Sequence, residues 1–251
     1  MKRMYVLLSG MIWMACQAPA FNPAEIIRKS IQYSGGRISD GRLEFTVSDR
    51  NYFYHRQGEV LSIGRTFSDS TASIRDLLNK KGFMRSVDSL TEILPDSLSS
   101  QLAETLSSEM MISLLPFSLE EYADQAINMG LDSIGQELLF HARIPLDAPS
   151  GSGRLDCWFN PDTNKLRFAA TTRAAWGEGP WFYEAVDAQT TGGVRLSDYV
   201  RYQPVHDDFS HPSMKPHAIE QTFDSFGSLF SKGQLKLIDT LRLRDVKAEL
   251  R

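Results

Sequence analysis

Short runs in which apolar and polar residues alternate recur along this chain, and turn residues separate them. A period of two sends successive side chains to opposite faces of a strand, so such runs build a sheet with one apolar face. Leu43, Phe45 and Val47 form the first run, and Tyr52 and Tyr54 follow the polar break Asp49-Arg50. The stretch Val60–Phe67 places Leu61, Ile63 and Arg65 on one face, and Ser73–Leu78 is a weaker fourth run. Runs spaced roughly 8–12 residues apart predict an antiparallel sheet.

The same signal returns after Tyr122. Ile127–Ile134 and Glu137–Ile144 read as a hairpin through Gly135-Gln136, followed by a polar loop over Asp147–Gly153. Leu155–Phe159 and Leu166–Thr172 flank the turn-rich Asn160–Lys165, and Phe182–Val186 and Val194–Tyr202 flank Asp187–Gly193. A last strand from Leu235 to about Leu243 is expected to carry Leu235, Leu237, Leu241 and Leu243 on one face.

Two segments have a helical period instead. Asn22 suits an N-cap, Pro23 the first helical position and Gly35-Gly36 the end. Ile26, Ile27 and Ile31, with Tyr33, give this short helix one apolar face. The second helix opens at Pro95 and Ser97, and Leu98, Leu102, Leu106 and Met110 recur every four residues. From Met110 through Met111, Leu114 and Leu115 to Phe117 it is apolar nearly all round. A surface helix keeps a polar side, and each such side chain gains roughly 1.5–3 kcal/mol by leaving water, so this end is expected to be enclosed.

The first residues read as an export signal. Lys2 and Arg3 precede an apolar run, Met4–Met14, far short of the about 20 residues a membrane-spanning helix needs. Ala15-Cys16 fits cleavage before a cysteine that is then lipidated, although Trp13 stands where such a motif usually has Leu. Residues 1–15 are therefore expected to be a lipoprotein signal peptide, 16–22 a lipidated tether and 23–251 a single β-rich domain. Cys157 is then the only other cysteine, so the core rather than a disulfide must stabilise the fold. No acidic residue lies between Cys16 and Glu25, which points to retention on the periplasmic side of the outer membrane. The net charge of −4 gives no basic footprint for nucleic acid.

Several of these segments carry a resemblance. They are Ala24-Glu25-Ile26-Ile27 through Gly35-Gly36, then Met111–Phe117, then Trp158-Phe159-Asn160-Pro161-Asp162-Thr163. Phe182-Tyr183-Glu184-Ala185 and the run Val194–Val200 complete the set. In this order the chain resembles a Bacteroidota lipoprotein family with a domain of unknown function, itself similar to the LolA-like lipoprotein carriers. The resemblance implies an α+β fold: a curved antiparallel half-barrel with a short N-terminal helix and an apolar lid helix. It also implies a concave face that accepts acyl chains. That family often has His before the glycine pair; Ser34 stands there in this chain, so no role is carried over to it.

Catalytic signals are weak. His206, His211 and His217, with Asp207 and Asp208, match no zinc spacing and sit among Pro204, Pro212 and Pro216. Ser152 between Gly151 and Gly153 lacks the spacing of a nucleophile elbow. Cys157 has Asp156 beside it, the wrong sign to activate a thiol, and reads as core with Leu155 and Phe159. Glu120-Glu121 reads as a solvated pair. No catalytic residue, metal or cofactor is assigned. The expected function is non-enzymatic binding or carriage of a hydrophobic ligand, a lipid or lipoprotein, in a cavity or under a lid formed by Leu106, Met110, Met111, Leu114, Leu115 and Phe117. Two alternatives stay open. In one, the helix end plugs the sheet as ordinary core in a structural or interaction module of an envelope assembly. An enzyme would need a deep polar pocket joining His141 or His206 to a carboxylate.

Overall fold

The computed structural model describes residues 21–38, 40–146, 153–171, 180–205 and 225–250. Its first element, helix α1 (Pro23–Tyr33), begins as its sequence dictates: the Asn22 carboxamide oxygen accepts hydrogen bonds from the backbone N–H groups of Ala24 and Glu25. Ile26, Ile27 and Ile31 are buried, whereas Tyr33 is exposed and lies under the Arg195 guanidinium.

Six strands then follow as a meander: β1 (Asp40–Val47), β2 (Arg50–Gln57), β3 (Val60–Ser68), β4 (Ser73–Asn79), β5 (Gly82–Val87) and β6 (Leu90–Glu92). After helix α2 (Asp96–Ser113) and a 3₁₀ helix (Phe117–Gln125), a second meander runs through β7 (Ile127–Ile134), β8 (Glu137–Leu146), β9 (Gly153–Phe159), β10 (Leu166–Thr171), β11 (Trp181–Thr191) and β12 (Val194–Pro204). Helix α3 (Phe226–Ser231) precedes the last two strands, β13 (Leu235–Leu241) and β14 (Leu243–Leu250).

The antiparallel expectation holds, but the strands form two seven-stranded sheets rather than one curved sheet. The first has the order β14-β1-β2-β3-β4-β5-β6 and the second β13-β12-β11-β10-β9-β8-β7. The division follows from α2 and the 3₁₀ helix, which interrupt the hairpin succession, since consecutive strands pair where a short turn joins them. The C-terminus links the sheets. The single strand expected over Leu235–Leu243 divides at Arg242: β13 pairs with β12, and β14 crosses to pair with β1. Its four leucines accordingly do not share one environment. Leu241 and Leu243 are buried, whereas Leu237 is exposed.

Inner faces of both sheets contribute to one core cluster, with Leu43, Phe45 and Tyr52 from the first and Phe140, Cys157 and Tyr199 from the second. The second sheet is also covered on its outer face. There Trp158, Phe168 and Phe182 pack under α3, where Phe226 stacks on Phe182 with ring centroids 4.6 Å apart. Gly227 lets α3 approach β7 this closely, because a Cβ there would lie 2.4 Å from the Ser133 carbonyl oxygen.

Candidate functional site

Helix α2 lies against the inner face of the first sheet. Its N-terminal half is partly solvated, with Leu98 exposed, and burial deepens along it until Leu106, Met110, Met111 and Ile112 are enclosed. The all-round apolar end is thus out of water, as its composition requires.

A carboxylate is enclosed with it. Glu109 is 1% exposed and receives the Arg65 guanidinium at 2.6 Å, the Tyr52 hydroxyl at 3.1 Å and the Arg50 guanidinium at 3.0 Å. Arg65 in turn donates Nε–H to Asp76 at 2.8 Å, and Arg85 holds the same carboxylate at 2.7 Å. A charge in an apolar interior is tolerated only when paired and fully hydrogen-bonded, and this network meets that demand for both acids. Burial, then the Glu109 charge, pushes the Tyr52 hydroxyl well above its ordinary range. The network fixes α2 at one height on the sheet and so positions the residues that follow Glu109.

Those residues wall a cavity of about 380 Å³ between the first sheet, α2 and the 3₁₀ helix. Met110, Met111, Leu114 and Phe117 line it, facing Tyr54, Leu61 and Ile63 of β2 and β3, with Tyr122 from the 3₁₀ helix. Leu106 and Leu115 do not line it. They are 0% and 1% exposed within the shared core, so the six residues singled out by sequence divide between wall and core. The volume lies in the roughly 300–1,000 Å³ range of ligand clefts, and apolar walls with a few polar groups are their usual lining.

Polar groups collect at the mouth. Arg37 pairs with Glu120 at 2.5 Å, and Arg56 with Glu121 at 3.1 Å. Asp40 Oδ1 accepts the Gly58 N–H at 2.7 Å, which holds the turn between β2 and β3 against the start of β1. Of the two acids read as solvated, Glu121 is 55% exposed while pairing with Arg56, whereas the Glu120 side chain is 24% exposed and held by Arg37. Bidentate Arg28–Asp124 bonds at 2.7 Å add a third tie, from α1 to the 3₁₀ helix, whose Leu119 and Ala123 are fully buried beneath it. Burial pushes the Tyr54 hydroxyl above its ordinary range.

A second pocket of about 630 Å³ lies on the first sheet among Arg42, Glu44, Thr66, Arg75 and Lys247. It is larger, but an antiparallel sheet ordinarily presents such a polar face to water. The inner cavity is the stronger candidate because most of its lining is apolar.

The second sheet joins His141 to a carboxylate. Asp156 Oδ1 lies 2.6 Å from His141 Nε2 and 3.0 Å from Arg143 Nε, and Asp156 Oδ2 accepts Arg154 Nε–H at 2.7 Å. Burial pushes the Asp156 carboxyl up, but the His141 bond and the charges of Arg154, His141 and Arg143 outweigh it and hold it below the ordinary range. His141 stacks on Trp158 with centroids 4.5 Å apart and is 6% exposed. This cluster lies on the outer face beside α3, away from the cavity. Cys157 is fully buried on the opposite face, and its thiol is pushed far up by burial and then by Asp156. Cys16, Ser152 and the His206, His211 and His217 segment lie outside the described residues. Among the described residues no group of three or more His, Cys, Asp or Glu is placed to hold a metal, and no helix is long and apolar enough to cross a membrane.

Sequence reasoning missed Glu109, although Arg65 sharing a face with Leu61 and Ile63 was its signal. An inward cation on a core face calls for a buried anion opposite it.

No family model and no curated protein matches the chain. Among solved structures, MucB in complex with MucA(peri) is similar at 12% identity, over 73% of this chain and 80% of that one, with a TM-score of 0.22. A superposition that loose carries no argument about what this chain does.

Proposed function

We propose that this chain is a non-enzymatic, LolA-like binding protein of the cell envelope, tethered through a lipidated Cys16 and taking a hydrophobic ligand into the cavity beside α2. The observation that carries the reading is the apolar wall formed by Met110, Met111, Leu114 and Phe117 around about 380 Å³. Methionine and leucine side chains adapt to irregular apolar partners, which suits acyl chains. Native mass spectrometry of the full chain carrying Cys16→Ser tests it, because that change removes the protein's own acyl chains as occupants. A bound lipid, co-purified or added, that is lost in Met110→Trp is the expected result. No adduct with any added lipid, or an adduct indifferent to Met110→Trp, would contradict it.

A second reading is an interaction module of an envelope assembly. Ile127, Met129 and Leu131 on the edge strand β7 are exposed, and an edge strand with apolar side chains is a ready template for pairing with another chain.

A further inference from the structure

The size of the cavity and the Arg56 guanidinium on its wall restrict the ligand. We infer that it is a single-chain fatty acid whose carboxylate sits on Arg56 at the mouth; this rests on the binding reading above. A methylene fills about as much space as a water molecule does in the liquid, roughly 30 Å³, so the interior takes about a dozen of them. One acyl chain fits a volume of about 380 Å³.

The head group is identified by the rim. Arg56 extends the inward alternation Tyr52, Tyr54, Arg56 of β2, and its Nε–H donates to the Gly58 carbonyl at 3.2 Å, which fixes the side chain. Its carboxylate partner, Glu121, is the more exposed of the two and is held by one bond at 3.1 Å. An exposed pair of that kind contributes little, whereas a guanidinium fork grips a ligand carboxylate through two parallel bonds. The other rim carboxylates are committed, Glu120 to Arg37 at 2.5 Å and Asp40 to the Gly58 N–H at 2.7 Å. Arg56 also bears on the Tyr54 hydroxyl, and of its partners the exposed Glu121 carboxylate is the one most easily exchanged. A fatty acid brings the replacing anion, and its tail enters between Met110, Leu114 and Ile63.

Isothermal titration of the Cys16→Ser chain with dodecanoic acid, dodecanol and dodecylamine, each below its aggregation concentration, tests this. The acid should bind about tenfold or more tighter than the alcohol, since a charged hydrogen-bond partner separates them, and the amine more weakly still. Arg56→Gln should remove the preference for acid over alcohol. Octadecanoic acid should bind no tighter than dodecanoic acid. Equal binding of acid and alcohol, or tighter binding of the amine, overturns the head-group assignment but leaves the cavity reading standing. Continued gain beyond twelve carbons overturns the size assignment. Failure of all three amphiphiles to bind overturns the cavity reading itself, and this inference with it.

Discussion

Glu109 of α2 and Arg65 of β3 meet at 2.6 Å, with side chains 1% and 4% exposed, on the face of the first sheet that also walls the cavity. The pair couples a helix held in register to the apolar wall beside it. Removing one partner of a buried pair strands the other charge, which typically costs about 3–5 kcal/mol. Glu109→Gln should therefore lower unfolding stability by about 3 kcal/mol in denaturant titration. Replacing Glu109 and Arg65 together by Met should recover part of that loss. A single-variant loss below about 1 kcal/mol would remove the network from the account.

Asp156 predicts a pH dependence. Its folded carboxyl lies below its ordinary 3.8, so its contribution is fully present above that value and is lost as pH falls through the folded one. Stability should fall steeply below about pH 4 in acid titrations followed by circular dichroism. In Asp156→Asn the neutral-pH stability should drop by about 3 kcal/mol, and the part of the acid slope due to this group should vanish.

Gly35 has a second duty beyond ending α1. Its φ is +116°, and a Cβ there would lie 2.0 Å from the Gly193 carbonyl oxygen in the β11–β12 turn. The Arg195 N–H donates to the Ser34 carbonyl at 2.8 Å, so the end of α1 is seated on that hairpin. Gly35→Ala should cost about 2–4 kcal/mol by thermal unfolding, through strain and displaced packing together. By contrast Gly36, with open space around its Cβ position, should lose about 1 kcal/mol for the same change, from its positive φ alone.

Cys157 should resist thiol reagents in the folded protein, because it is fully buried and its thiol is pushed up by burial. Labelling with a maleimide should appear only as denaturant unfolds the chain, and fast labelling under native conditions would contradict the packing of β9.

Much of this was legible wherever local pattern sets local structure. The Asn22–Pro23 cap, the first four strands and the Gly135-Gln136 hairpin are each specified by residues within one turn or strand of one another. What could not be read depends on distant partners. Helix α3 is six residues long and rests on rings of β9, β10 and β11, so its own sequence carries too few periods to announce it. The split at Arg242 depends on β1 offering a free edge roughly 200 residues earlier. At the cavity, the apolar wall was visible from composition, whereas the rim was not. Arg37, Arg56, Glu120 and Glu121 look like ordinary surface charges until the fold brings them together.

An apolar ligand should occupy the space beside α2, and methyl resonances report on it directly. Met110 and Met111 line the cavity, while Met84 and Met129 are exposed elsewhere. In methionine-methyl NMR of the Cys16→Ser chain titrated with dodecanoic acid, the Met110 and Met111 signals should shift and saturate while those of Met84 and Met129 stay in place. Unmoved Met110 and Met111 signals at saturating ligand, or shifts confined to the exposed pair, would contradict the account.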